Sequence, residues 1–324
     1  MKKWLFIMEL GRFIDTLSIK AGILAILALG GCIATTIPYM RTETAQRIAA
    51  PAWMIKRDVS ASPFILRAYE RIHDRGGIAN LYIEGDGPAY ASPTEWNIDP
   101  TPTNPVALHL ASKDRADNVI YLARPCQYTG TVSGGDCPES AWREGRFSKE
   151  VIKSYGTALD EIARRYDIRG FHLIGYSGGG AIATLIASER SDILSLRTIS
   201  GILDHKTQTD LLNNGPLSTS LNPIDVAASL IRLPQYHFIG GQDPYVPPAV
   251  LHSYLQSSPP SNCVQTMLVQ EAGYDDGWVD KWPELMELPV TCYNKPPTSE
   301  FGDITPPSPP KEAIFTVREK PAKP

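Results

Sequence analysis

No C-x-x-C pair and no cluster of histidines occurs in the 324 residues, which removes the usual zinc-site patterns. An excess of one charge is also missing, since 31 basic side chains stand against 35 acidic ones for a net of −4. That balance gives no electrostatic reason to expect nucleic acid or a strongly acidic partner. Nor is there a repeat at a period of about 20–50 residues, so solenoids and propellers drop out. Histidine is scarce: there are six, and none follows His252.

Long apolar runs are confined to the N-terminus. Lys2, Lys3, Arg12 and Lys20 precede the run Ala21 to Leu29, and L-G-G-C then ends at Cys32. A basic lead, a short apolar segment and small residues before a cut site describe an export signal. With cysteine as the first mature residue, the stretch resembles a bacterial lipobox. That resemblance implies lipidation of Cys32 and a lipid anchor holding the protein to a membrane, facing the periplasm or cell surface. An uncleaved helical anchor is the alternative, because the uncharged run continues to Tyr39. Apart from Cys32, four cysteines remain: Cys126, Cys137, Cys263 and Cys292. An even set in an exported chain predicts two disulfides. All pairings are open, with sequence proximity favouring Cys126 with Cys137 and Cys263 with Cys292.

Residues 1–32 are therefore expected to be a signal, and 33–60, with little periodicity, a tether. The segment 294–324 is proline-rich, and its composition predicts an extended or disordered tail. Between them, 61–293 alternates short apolar runs with helical patterns. Strands are expected at 63–69, 78–84, 118–123, 171–175, 195–200, 235–240 and 264–270. The plainest helix follows Ser148, a capping residue, because Val151, Ile152, Tyr155, Ala158, Leu159, Ile162, Ala163 and Tyr166 share one face. Weaker helices fit 105–112, 180–189, 247–256 and 277–288. This alternation predicts an α/β domain with a mostly parallel central sheet flanked by helices. Catalytic groups in such sheets gather at the carboxyl ends of the strands.

At that place stands Gly175-Tyr176-Ser177-Gly178-Gly179, a G-x-S-x-G pattern between an expected strand and a small-residue helix. There the serine takes a strained turn that presents its hydroxyl, and the helix N-terminus offers N–H groups to an oxyanion. The alternative is a plain glycine-rich turn. Gly178 is one candidate oxyanion donor. The other is the loop Gly85-Asp86-Gly87 after an earlier strand, with Gly87 named for close backbone approach. Asp243 follows a strand and two glycines, where a carboxylate orients an imidazole.

With these residues in place, the chain resembles an α/β-hydrolase over 61–288. It is most similar to bacterial envelope hydrolases carrying a segment like R-P-C-Q-Y, here Arg124 to Tyr128, followed by Cys137, Trp142 and R-F-S at 146–148. G-I-L-D-H at 201–205, S-L-N-P at 220–223 and P-Q-Y-H-F-I-G-G-Q-D at 234–243 are similar to that group as well. The stretch of about 203–233, between two expected strands, is expected to form a small cap over the site. The resemblance implies a Ser–Asp–His triad that hydrolyses a small-molecule ester, thioester or amide without a cofactor.

The triad histidine has no match. After the last strand the chain reads E-A-G-Y-D-D-G-W, so Tyr274, Asp275 or Asp276 stands where the imidazole belongs, or that residue is deleted. His205, just past the strand that follows the elbow, is the best substitute base. A tyrosine with an ordinary pKa near about 10 accepts a proton poorly at neutral pH. Two expectations follow. The first is an envelope-anchored serine hydrolase with Ser177 as nucleophile, Asp243 as acid and an unresolved base. The second is a degenerate hydrolase-fold lipoprotein that binds a ligand or a protein.

Overall fold

The computed structural model describes residues 39–88, 90–92, 95–130 and 137–293. The expected signal with Cys32, and the tail from 294, lie outside the described residues. Residues 39–49 form helix α1. The strands are β1 (Ile55–Ala61), β2 (Phe64–Ile72), β3 (Ile78–Ile83), β4 (Tyr90–Ser92), β5 (Glu95–Trp96), β6 (Asn118–Leu122), β7 (Gly170–Tyr176), β8 (Ile193–Ile199), β9 (Gln235–Gly240) and β10 (Val264–Val269). Between them run α2 (Val106–Lys113), α3 (Lys149–Tyr166), α4 (Gly178–Glu189), α5 (His205–Leu211), α6 (Pro248–Gln256) and α7 (Trp278–Glu287).

Eight strands make one sheet in the order β1-β2-β6-β3-β7-β8-β9-β10, while β4 and β5 form a separate hairpin. Only the pairings of β1 with β2 and β2 with β6 are antiparallel; the other five in the sheet are parallel. Every residue of β6 and of β9 is buried, as expected for strands covered on both faces. Alternation along β3 sends Leu81 and Ile83 into the core under α3 and α4, and Tyr82 into the core with α2 and α7. The Ser148 hydroxyl caps α3 by accepting the Val151 N–H at 3.3 Å.

All seven expected strands are present. What differs is the expected tether, where 39–49 is helical and Ile55–Ala61 pairs with β2. Only Val59 and Ala61 of β1 are buried, so this edge strand shows no apolar alternation. Its charges are used at the edge instead, Asp58 pairing with Arg67 and Arg57 with Glu70. Helix α1 is held by two small residues, Ala45 and Ala49, which pack into the core beside Tyr69 and Val106. Both disulfides favoured by proximity form, Cys126–Cys137 and Cys263–Cys292.

Candidate active site

The central strand β7 ends at Tyr176, and Ser177 turns directly into α4 with φ 51 and ψ −120. This is a positive φ on a residue with a side chain, a strained conformation found at functional turns. The turn is pinned on both sides: the Ser177 N–H donates to Ile199 O at 2.9 Å, and Ser177 O accepts from Gly180 and Ile202.

Ser177 Oγ lies 2.8 Å from the phenol oxygen of Tyr274. Of the three residues that could occupy the place of the imidazole, Tyr274 is the one turned inward. Its carbonyl accepts from the Tyr176 hydroxyl at 2.9 Å and the Trp278 indole at 3.1 Å. Its ring packs between Tyr176 and Tyr245, with centroids 5.5 and 5.0 Å away. Asp275 and Asp276 are exposed. Burial pushes the Tyr274 phenol well above the usual tyrosine range, an effect that the Ser177 hydrogen bond opposes and the charges of Asp86 and Asp243 reinforce. At neutral pH Tyr274 therefore keeps its proton and does not serve as a base, and either hydroxyl can donate in the bond between them.

Asp243 follows β9 at the same edge. Its Oδ1 accepts the N–H groups of Tyr245 and Val246 at 2.8 and 2.9 Å, while Oδ2 is buried without a well-formed hydrogen bond, the Ser200 hydroxyl standing near the carboxylate. Burial raises its pKa, against the pull of the Ser200 hydroxyl and those two N–H groups. A buried carboxylate oxygen without a well-formed hydrogen bond is where an imidazole N–H could bind. His205 does not take that role. Its ring stacks on Phe147, neither nitrogen has a hydrogen-bond partner, and burial lowers its pKa.

The expected oxyanion loop is braced by residues whose function the sequence did not disclose. Asp86 is buried and paired with both Arg124 and Arg146, the latter at 3.0 Å. Burial alone would raise its pKa, but the two guanidinium groups reverse this and hold the carboxyl below its ordinary value. Gly178 abuts this group closely enough that a Cβ there would collide with the Asp86 carboxylate. Gly87 has φ +69, and a Cβ on it would strike Pro100 O. Gln127 ties the loops together, donating to Gly85 O at 2.9 Å and Pro100 O at 3.2 Å while accepting from Arg124 N. Arg124 and Gln127 belong to R-P-C-Q-Y, so that string acts as a brace behind the loop.

Glu84 stands beneath the same loop. Its Oε1 accepts the N–H of Gly85 at 2.9 Å and of Ala107 at 3.2 Å, which also caps α2. Burial raises its pKa from the ordinary 4.5 to about 7, against those backbone hydrogen bonds. The native state thus binds a proton that the unfolded chain releases across this window. Stability from this group is complete below pH 4.5 and is lost as pH rises through about 7. The full effect is about 3 kcal/mol. Melting followed by circular dichroism should show a fall in stability over that window, and Glu84→Gln should flatten it.

No protein-family model matches the chain, and no curated protein matches it in sequence. Solved structures do match its fold. The protein DcsB, determined with its substrate analogue, aligns with TM-score 0.51 and 11% identity over 72% of this chain and 97% of its own. An esterase from Pyrococcus furiosus aligns with TM-score 0.50 and 15% identity over 73% of this chain and 90% of its own. An acylaminoacyl peptidase from Pyrococcus horikoshii aligns with TM-score 0.51 and 10% identity, over 75% of this chain and 42% of that longer one. With the strand order above, these likenesses establish the α/β-hydrolase fold.

Proposed function

We propose that this protein is a serine hydrolase of ester or amide bonds whose nucleophile, Ser177, works without a histidine. The observation that carries it is the Ser177 hydroxyl on a positive-φ turn at the end of the central strand, 2.8 Å from a proton-bearing group in the base's position. In the proposed reaction Ser177 Oγ bonds to the acyl carbon and the Gly178 and Gly87 backbone N–H groups stabilise the oxyanion, the Gly85 N–H being held by Glu84. The bond to the alcohol or amine then breaks, and the serine proton leaves with it. Water then cleaves the acyl–serine bond. Because Tyr274 cannot accept the serine proton at neutral pH, turnover is slow there and quickens in alkali. The esterase and peptidase among the fold neighbours support an acyl substrate. The stretch 203–233 supplies a cap, tied to 144–147 through Ser220 and Leu221. Two disulfides and the lipobox-like N-terminus support export and anchoring through Cys32.

A second reading, a degenerate site that only binds, is favoured by the near-complete covering of Ser177, which is 1% exposed beside Tyr274. A fluorophosphonate probe separates the two. The wild-type chain should label, faster at alkaline than at neutral pH, and Ser177→Ala should not label. A folded wild type that stays unlabelled at both pH values leaves the binding reading standing.

A further inference from the structure

The edge that carries Ser177 also carries large apolar side chains facing water. Ile98 is 87% exposed, Tyr39 65%, Met40 61% and Tyr245 56%. Single exposed apolar residues are ordinary, but these are linked through the site itself. Tyr39 and Met40 begin α1, whose Arg41 donates to the Asp99 carboxylate at 2.9 Å and its carbonyl at 3.2 Å. Ile98 precedes Asp99 in that loop. The next residue, Pro100, accepts from Gln127, which also holds Gly85. Farther along the loop, Asn104 donates to Asp275 O. Tyr245 packs on Tyr274 and its carbonyl accepts from Gln208 at 2.9 Å. The start of α1, the 97–104 loop and Tyr245 thus flank the Ser177–Tyr274 pair.

Just before this rim the sequence runs uncharged from Ala21 to Met40. Fully extended, the residues 33–38 span at most about 20 Å. A membrane attachment through the preceding apolar run therefore leaves the Ser177 edge nearest the lipid. The opposite edge, where Trp53 lies beside Arg71 and Arg115, is a strand length further away, about 20 Å. Charge distinguishes the lipid. Arg41 is paired with Asp99, whereas Asp275 and Asp276 are exposed beside Tyr274, so the rim repels an anionic surface.

We propose that the Ser177 edge docks on a bilayer of net-neutral lipid through Tyr39, Met40, Ile98 and Tyr245, and that the substrate is an ester or amide drawn from that lipid phase. The substrate class rests on the hydrolase reading; the docking does not. Aromatic rings seat well at the lipid–water boundary, and the acyl substrate would enter without crossing water.

The test uses the full chain in vesicles of phosphatidylcholine containing brominated chains, with an environment-sensitive fluorescent amino acid replacing either Ile98 or Trp53. The residue at 98 should blue-shift and lose at least half its emission to the brominated lipid, while the one at 53 stays unquenched. Adding phosphatidylglycerol should reduce quenching at 98. Quenching at 53 instead, or at neither position, overturns the docking. This readout needs no activity, so it stands or falls apart from fluorophosphonate labelling of Ser177. If 98 is quenched and Ser177 labels, bilayer-embedded esters should be cleaved at least ten times faster than water-soluble short-chain esters; equal rates overturn the substrate assignment.

Discussion

Tyr274→His should raise hydrolysis of an activated ester at neutral pH by about 100-fold or more, the contribution of a positioned general base. The Tyr274 phenol holds its proton because burial raises its pKa, whereas an imidazole titrates near neutrality. In the proposed reading Asp243 is the acid partner: its Oδ2 is buried without a well-formed hydrogen bond, beside the Ser200 hydroxyl, and could take an imidazole N–H. Asp243→Asn in the Tyr274→His background should remove most of the gain, because the imidazole loses its tautomer control. Imidazole is shorter than phenol, so the variant depends on the 272–277 turn closing toward Ser177. Tyr274→Ala with free imidazole in the buffer avoids that constraint and should show a rate that climbs and saturates with imidazole concentration. If neither variant exceeds the wild type, Ser177 is not a nucleophile waiting for a base.

Asp86→Asn should cost about 3–5 kcal/mol, the penalty for leaving buried charge without its partner. Arg124 and Arg146 both converge on this carboxylate, and all three side chains are buried. For a domain of this size the melting temperature should fall by roughly 6–20 °C. The i,i+4 pair of Arg47 and Glu43 on α1 is the control: it is solvent-exposed, and Glu43→Gln should cost about 0.5 kcal/mol or less. Similar losses in the two variants would mean that the Asp86 cluster is hydrated and does not brace the loop.

Much of this architecture is legible in the chain because burial leaves a local pattern. Strands covered on both faces read as apolar runs, and G-x-S-x-G announces a turn that tolerates little else. Strand β1 escaped because an edge strand buries only two of its residues. The Asp86 cluster escaped for another reason: its arginines lie 38 and 60 positions away, and no local pattern reports such pairing. For the imidazole's replacement the sequence left three neighbours or a deletion. Choosing among them required the Tyr176 and Trp278 hydrogen bonds that pin the Tyr274 carbonyl and aim its ring inward.

The inward seat of Tyr274 has a genetic consequence. Histidine and tyrosine codons can differ at their first base alone, so a point mutation at this codon would put an imidazole in the place that Tyr274 now fills. On the proposed reading, the Ser177 turn and the Asp243 carboxylate are retained while the proton acceptor is absent. A lineage in that condition can lose or recover turnover without rebuilding the fold.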